Sequence, residues 1–195
     1  MPSIATTPRH GRALHATAEL LSKLRLDFAF VGGVARAAWL GGEVAGPIDV
    51  LALMNPQQKN QVAMMAANRG FRVDQKEIEA TEELDVVPLS FVDAEGEVRV
   101  HVLVASNALY GRMFASVREA SVAPPTPAAH DEDAAEVGGA TRIIKVVAAE
   151  DLALLLTMAD DEVTVRRLSS IDGFDRQTYN ERLVSIGLPA LVIAE

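Results

Sequence analysis

The chain has 195 residues, 49% of them apolar and 23% charged, and its 27 acidic and 18 basic side chains give a formal net charge of −9. This composition excludes an intrinsically disordered chain, and the negative charge disfavours non-specific binding to nucleic acid, which depends on neutralised phosphates. The sequence contains no cysteine, which excludes disulfides and thiolate sites. The length allows one well-buried core, or one main domain with a small satellite.

The N-terminal segment has no continuous apolar stretch of the kind found in signal peptides. No part of the chain reaches the roughly 18 to 20 apolar residues that span a bilayer. We therefore expect a cytoplasmic protein without a membrane partner.

The first third of the chain predicts alternating helices and strands. Thr7 is placed to cap the first helix, which has a proline in its first turn. Residues 48–54, IDVLALM, are rich in branched side chains without alternation, which indicates a strand covered on both faces. The predicted order is helix 8–25, strand 27–31, a turn at Gly32-Gly33, helix 34–40 and strand 48–54.

The middle of the chain predicts a β-hairpin between helices. Polar and apolar residues alternate in 85–93 and again in 97–105, with Ala94-Glu95-Gly96 between them, so the sheet is expected to be mixed. Gly70 is placed to end the preceding helix. The other predicted elements are helix 57–69, strand 71–75 and helix 108–120.

The last third begins with a change of composition. Residues 121–140 contain three prolines, paired glycines and an acidic cluster, which predicts a linker or mobile loop. Strand 142–148, a helix from 149 and one or two further helices up to Gly187 follow. We predict a core domain over 1–120, the linker over 121–140, and a strand with a small C-terminal helical region over 141–195 that packs on the core. The apolar tail, 188–195, is expected to pack on that body or on a second subunit, which would make a homodimer.

A strand, a glycine pair, a short helix and a second strand with an acidic residue occupy residues 27–54. By this arrangement the chain resembles the polymerase-beta-like nucleotidyltransferase superfamily, nearest its small bacterial abortive-infection and toxin-type members. In layout the resemblance also covers residues 97–120 and 143–159. It implies an α/β fold with a mixed β-sheet flanked by helices, and a nucleoside triphosphate as the ligand.

In that family, glycines let the backbone approach phosphates at a helix N-terminus, where N–H groups and the helix dipole favour an anion. Two aspartates two residues apart on one strand, and a third acid on a neighbouring strand, hold two Mg²⁺ ions that align the attacking hydroxyl and neutralise the triphosphate. In this chain Gly32 and Gly33 match the glycines and Asp49 matches the second aspartate. Pro47 stands in place of the first aspartate, and His101 in place of the third acid.

Three other positions also depart from the family pattern. Glu43 and Ala45 stand where the family has arginine and threonine, and Leu156 stands where it has a lysine. One carboxylate and one imidazole compensate Mg²⁺ poorly for its tightly held water, so we expect Mg²⁺ binding to be weak and two-metal nucleotidyl transfer to be absent or vestigial.

The resemblance implies the following site residues: Asp49 as catalytic residue, Gly32, Gly33 and Arg36 for nucleotide binding, and Asp49 with His101 as metal ligands. Each has a structural alternative. Asp49 is equally suited to capping a neighbouring helix. For His101 the structural alternative, a half-buried and hydrogen-bonded strand residue, is favoured over a metal ligand. Arg36 is equally suited to a solvated helix face.

Two functional hypotheses follow. The first is a catalytically degenerate protein, a pseudoenzyme, that binds a nucleotide or a protein partner. The second is an active metal-dependent nucleotidyltransferase that modifies a hydroxyl of a protein, an RNA or a small molecule, as in toxin–antitoxin systems. The second hypothesis needs another acid beside Asp49, for which Glu43, Asp85 and Asp93 are the candidates.

Overall fold

The structure is a computed structural model that describes residues 1–81, 85–122 and 142–190. Within these residues, nine strands form one mixed sheet. The predicted linker lies outside the described residues beyond Val122, as do residues 191–195 of the predicted tail. The strands are β1 (Ser3–Thr6), β2 (Asp27–Phe30), β3 (Glu43–Val44), β4 (Ile48–Leu53), β5 (Phe71–Arg72), β6 (Val86–Asp93), β7 (Gly96–Val104), β8 (Arg118–Val122) and β9 (Arg142–Val146).

Eight α-helices accompany the sheet in the described parts of the chain. Among these helices, none combines the length and apolar character needed to cross a membrane. Short 3-10 turns precede α3, at Pro56–Gln58, and follow α5, at Phe114–Ser116. The helices are α1 (Pro8–Lys23), α2 (Gly32–Leu40), α3 (Lys59–Ala67), α4 (Gln75–Ala80), α5 (Ala108–Met113), α6 (Ala149–Met158), α7 (Glu162–Leu168) and α8 (Arg176–Ser185).

The strands lie in the order β3-β1-β8-β9-β2-β4-β7-β6-β5. At the centre, β4 runs antiparallel to β2 and parallel to β7, and β7 forms an antiparallel hairpin with β6. Helices α1 and α3 pack on this hairpin, and α2 packs on β4 and on α6. The predicted α/β class, a mixed sheet flanked by helices, is confirmed, and so is the hairpin.

The two faces of β4 differ in how deeply they are buried. Ile48, Val50 and Ala52 point to one face and are fully buried. On the other face Leu51 is also buried, but Leu53 is 42% exposed and the Asp49 side chain is 28% exposed. The prediction that this strand is covered on both faces is therefore wrong for the face that carries Asp49, and that face is accessible to a ligand.

The sequence interpretation missed β8, an internal strand of the sheet, as well as β1 and β3. The predicted helix 108–120 ends as α5 at Met113, and the chain then forms β8 from Arg118 to Val122, which includes the first two residues of the predicted linker. This strand pairs in parallel with β1 and antiparallel with β9. The pairing buries Ala120 and Val122, and it outweighs a local helical preference because strand formation depends on cross-strand packing.

The segment after Gly70 also differs from its prediction. Only Phe71–Arg72 forms a strand, and α4 begins at Gln75 behind Asp74, whose side chain accepts a hydrogen bond from the Lys76 backbone N–H. Aspartate at this position is a strong helix-start signal. The predicted cap of the first helix is confirmed, because the Thr7 side chain accepts from the His10 backbone N–H.

Candidate functional site

The glycine pair begins a helix directly. Gly32 and Gly33 are the first two residues of α2, so the predicted turn before the helix is absent. Gly32 has a φ of +55°, and a Cβ atom added there would lie 2.5 Å from Oδ2 of Asp49. Both the backbone conformation and the lack of space therefore require glycine at position 32.

The structure brings Asp49 together with His101. The two residues are paired neighbours on the parallel strands β4 and β7, and Oδ1 of Asp49 lies 2.9 Å from Nδ1 of His101. An ionised carboxylate only accepts hydrogen bonds, so Nδ1 is the donor. In the neutral ring this leaves Nε2 as an acceptor, and Nε2 makes no hydrogen bond to any described residue. The side chains of Asp49 and His101 are 28% and 34% exposed, which leaves the pair open to a ligand.

Asp49 also lies beside the start of α2. Its backbone carbonyl accepts from the Val31 N–H at 2.9 Å, and its carboxylate meets Gly32. The residue that precedes α2, Val31, is not joined by any side-chain capping hydrogen bond. Asp49 is thus placed where the helix dipole favours a negative charge, although it does not cap the helix.

A groove of about 460 Å³ opens beside His101. Its volume is within the range of about 300 to 1,000 Å³ that is usual for small-molecule sites. Its charged rim consists of Glu77 and Arg99, whose side chains approach to 4.0 Å. The other lining residues are Thr81, Val86, Pro88, Leu89, Ser90, His101 and Leu103.

Arg36, which is predicted to bind phosphate, lies beside a carboxylate of the C-terminal helical region. Its guanidinium lies 3.9 Å from the carboxylate of Asp161, the residue that caps α7, and its side chain is 48% exposed. Hydrogen bonds from Thr164, together with the Arg36 charge, hold the pKa of Asp161 below its ordinary value.

The three acids considered as extra metal ligands lie elsewhere in the fold. Asp93 is bound to Arg12 at 2.8 Å, and Asp85 accepts from the Ser106 hydroxyl at 3.4 Å. Glu43 is on β3, one of the two edge strands of the described sheet. Among the described residues, no group of three or more histidine, aspartate or glutamate side chains could hold a metal ion.

A second polar cluster, built on α6, was not predicted. The Asp151 carboxylate is fully buried, accepts a hydrogen bond from Ser116 at 2.6 Å and lies 2.9 Å from Nε of Arg182. Nη2 of Arg182 donates a hydrogen bond to Oδ2 at 3.5 Å, whereas Nε and Oδ1 form no hydrogen bond and attract each other only by their charges. Burial raises the pKa of Asp151 and outweighs the opposing effects of Ser116 and Arg182. No local signal could have linked residues that lie 31 positions apart.

The chain is similar to several solved structures, whereas no family model and no curated protein matches it. One is a crystal structure of ANT(2")-Ia in complex with adenylyl-2"-tobramycin, at 18% identity and a TM-score of 0.44, with 90% of this chain and 88% of that chain covered. Another is an antigenic nucleotidyltransferase-like protein from Paracoccidioides brasiliensis, at 12% identity and a TM-score of 0.39, with 95% and 78% covered. Both TM-scores are below 0.5, so this likeness assigns neither a family nor an activity to the chain.

Proposed function

We propose that this chain is a nucleotidyltransferase-like pseudoenzyme that binds a nucleoside phosphate beside Gly32 and Gly33 without transferring it. One observation carries the proposal: the carboxylate of Asp49 is paired with the imidazole of His101 instead of with further carboxylates. This donor set does not fit a pair of Mg²⁺ ions, which take oxygen ligands and bind strongly only where several carboxylates replace their water. Without the metals the transition state loses several kcal/mol of charge stabilisation, and each ~1.4 kcal/mol is tenfold in rate.

The elements that support binding do not depend on the missing acids. The first turn of α2 presents its N–H groups and the positive end of its dipole beside the glycine pair, and these favour a phosphate. The groove next to His101 offers room for the remainder of a small ligand.

The carboxylate of Asp49 repels a phosphate that binds without a metal ion, because it lies at the same helix start. Two unit charges 4 Å apart interact with about 1 kcal/mol in water and about 4 kcal/mol near a protein surface. We therefore expect Asp49→Asn to strengthen the binding of a nucleotide in the absence of Mg²⁺ by about fivefold or more. In a working two-metal enzyme the same substitution would weaken binding.

The test is calorimetric titration with ATP, GTP, CTP and UTP, each with and without Mg²⁺, on the unmodified chain and on Asp49→Asn. Asp27→Asn is the matched control, since it removes the same charge from β2 at the opposite end of its pairing with β4. Magnesium-independent binding that Asp49→Asn strengthens and Asp27→Asn leaves unchanged supports the proposal. Magnesium-dependent binding that Asp49→Asn abolishes indicates the active transferase, and a lack of binding to every nucleotide indicates a protein-interaction role.

A further inference from the structure

Residues 41–47 form a strap that joins α2 to β4. All three of its glycines have positive φ angles, +73° at Gly41, +99° at Gly42 and +81° at Gly46. Among the described residues other than their chain neighbours, nothing lies within 4 Å of the position that a Cβ atom would take at any of them. Glycine is therefore favoured at these positions by the bend of the backbone and not by the close approach of another atom. The strap is bent at both of its ends.

The strap borders the glycine pair of the candidate site. The carbonyl oxygen of Ala45 lies 3.7 Å from the position of a Cβ atom on Gly33, and the strap leads through Pro47 into the strand that carries Asp49. The strap therefore lies next to the first residues of α2, whose N–H groups form the proposed phosphate site.

Contacts with β1, α2 and α1 hold the strap in place. Its strand β3 pairs with β1 over two residues only, and Val44 is its one buried side chain. The ring of His10, 8% exposed, joins the strap to α1, because Nε2 lies 3.0 Å from the carbonyl oxygen of Gly46. A carbonyl only accepts, so Nε2 is the donor, and Nδ1 then accepts the Thr7 hydroxyl at 2.8 Å.

We infer that residues 41–47 open and close as one unit over the glycine pair, and that the hydrogen bond from His10 to Gly46 is the fastening. Two glycines at one end and one at the other supply the hinges, and the short β1–β3 pairing adds little resistance. The second part of the inference, that opening admits a phosphate, rests on the proposed function. If only the open form binds, the apparent affinity is reduced by the fraction of molecules that are open.

The opening is tested by hydrogen exchange of the backbone amides from Gly41 to Gly46. His10→Phe removes both ring hydrogen bonds, whereas His10→Gln keeps an N–H donor for the Gly46 carbonyl. His15→Gln is the control, because His15 is an exposed residue of the same helix. Amides of β4 and β7 report global unfolding and serve as the internal reference.

We expect His10→Phe to raise exchange of the strap amides together by tenfold or more, without a matching rise in β4 and β7. His10→Gln should fall between His10→Phe and the unmodified chain, and His15→Gln should change nothing. Strap amides that exchange no faster in His10→Phe, or only as fast as the reference strands, overturn the inference.

The link to the site is tested by the affinity for ATP without Mg²⁺. A weaker fastening should strengthen binding, so His10→Phe is expected to bind ATP severalfold more tightly than His15→Gln. Tighter binding is a result that a merely structural loss would not produce, and weaker binding overturns the gating role. If neither variant nor the unmodified chain binds any nucleotide, the proposed function fails, and the exchange rates alone decide whether the strap opens.

Discussion

The cluster of Asp151 and Arg182 predicts an asymmetric response to substitution. Asp151 is fully buried and its pKa is raised, chiefly by burial, so the folded state accommodates its neutral form better than its charged form. Arg182, with 14% of its side chain exposed, is the charge that compensates it. Arg182→Met would leave a buried carboxylate without the charge of Arg182, whereas Asp151→Asn imitates the neutral form.

Removing one partner of a buried ion pair costs about 3 to 5 kcal/mol, and the partial exposure of Arg182 favours the lower end, about 3 kcal/mol. For a domain of this size that loss lowers Tm by about 6 to 12 °C. Asp151→Asn alone should change the free energy of unfolding by less than about 1 kcal/mol, and in the Arg182→Met background it should recover most of the loss.

The raised pKa of Asp151 also determines how the free energy of unfolding changes with pH. Because the pKa of Asp151 is raised from its ordinary 3.8, the folded state binds the proton more tightly than the unfolded state. The contribution of Asp151 to stability is greatest below pH 3.8 and declines as pH rises through the folded pKa. Arg182→Met should steepen this decline, and adding Asp151→Asn should remove it.

Urea denaturation of the four chains, at neutral and at acidic pH, measures these free energies. The reasoning is refuted if Asp151→Asn alone costs as much as Arg182→Met. It is also refuted if Arg182→Met is harmless at neutral pH.

Two further predictions concern the candidate site. Gly32→Ala should cost about 1 to 3 kcal/mol in urea denaturation, because the new methyl group meets Asp49 at a positive φ. Gly70→Ala, also at positive φ but in open space after the end of α3, isolates the strain of the backbone, and equal costs would contradict the close approach. At pH 8, nitrogen NMR should show His101 with the proton on Nδ1 and a bare Nε2, since Asp49 fixes this tautomer. Asp49→Ala should abolish that preference, and a protonated Nε2 in the unmodified chain would refute the pairing.

Local sequence patterns predicted the helices and strands whose formation depends on residues close together in the chain. The β6–β7 hairpin follows from alternation around a short turn, and the first helix from the cap at Thr7. Strand β8 was missed because its partners are distant in the chain: β1 lies near the N-terminus, and β9 lies beyond the predicted linker. Two-residue strands such as β3 are too short to leave a pattern.

At the candidate site, too, some residues could be named from the sequence, whereas the contacts between them depend on the tertiary structure. The family resemblance pointed to Gly32, Asp49 and His101, and the structure brings them together. The hydrogen bond between Asp49 and His101 depends on the register of two strands that lie about fifty residues apart in the chain, which the sequence does not specify. The link between His10 and Gly46 is likewise a matter of tertiary packing.

The central claim is that Asp49, held by His101, does not retain a pair of divalent ions. Counting bound Mn²⁺ by electron paramagnetic resonance, with a non-hydrolysable ATP analogue present at saturation, tests this most directly. We expect the analogue to bind in metal-free buffer, and no more than the one ion that a nucleotide brings with it when Mn²⁺ is added. Two Mn²⁺ ions per chain, reduced by Asp49→Asn but not by Asp27→Asn, would contradict the account.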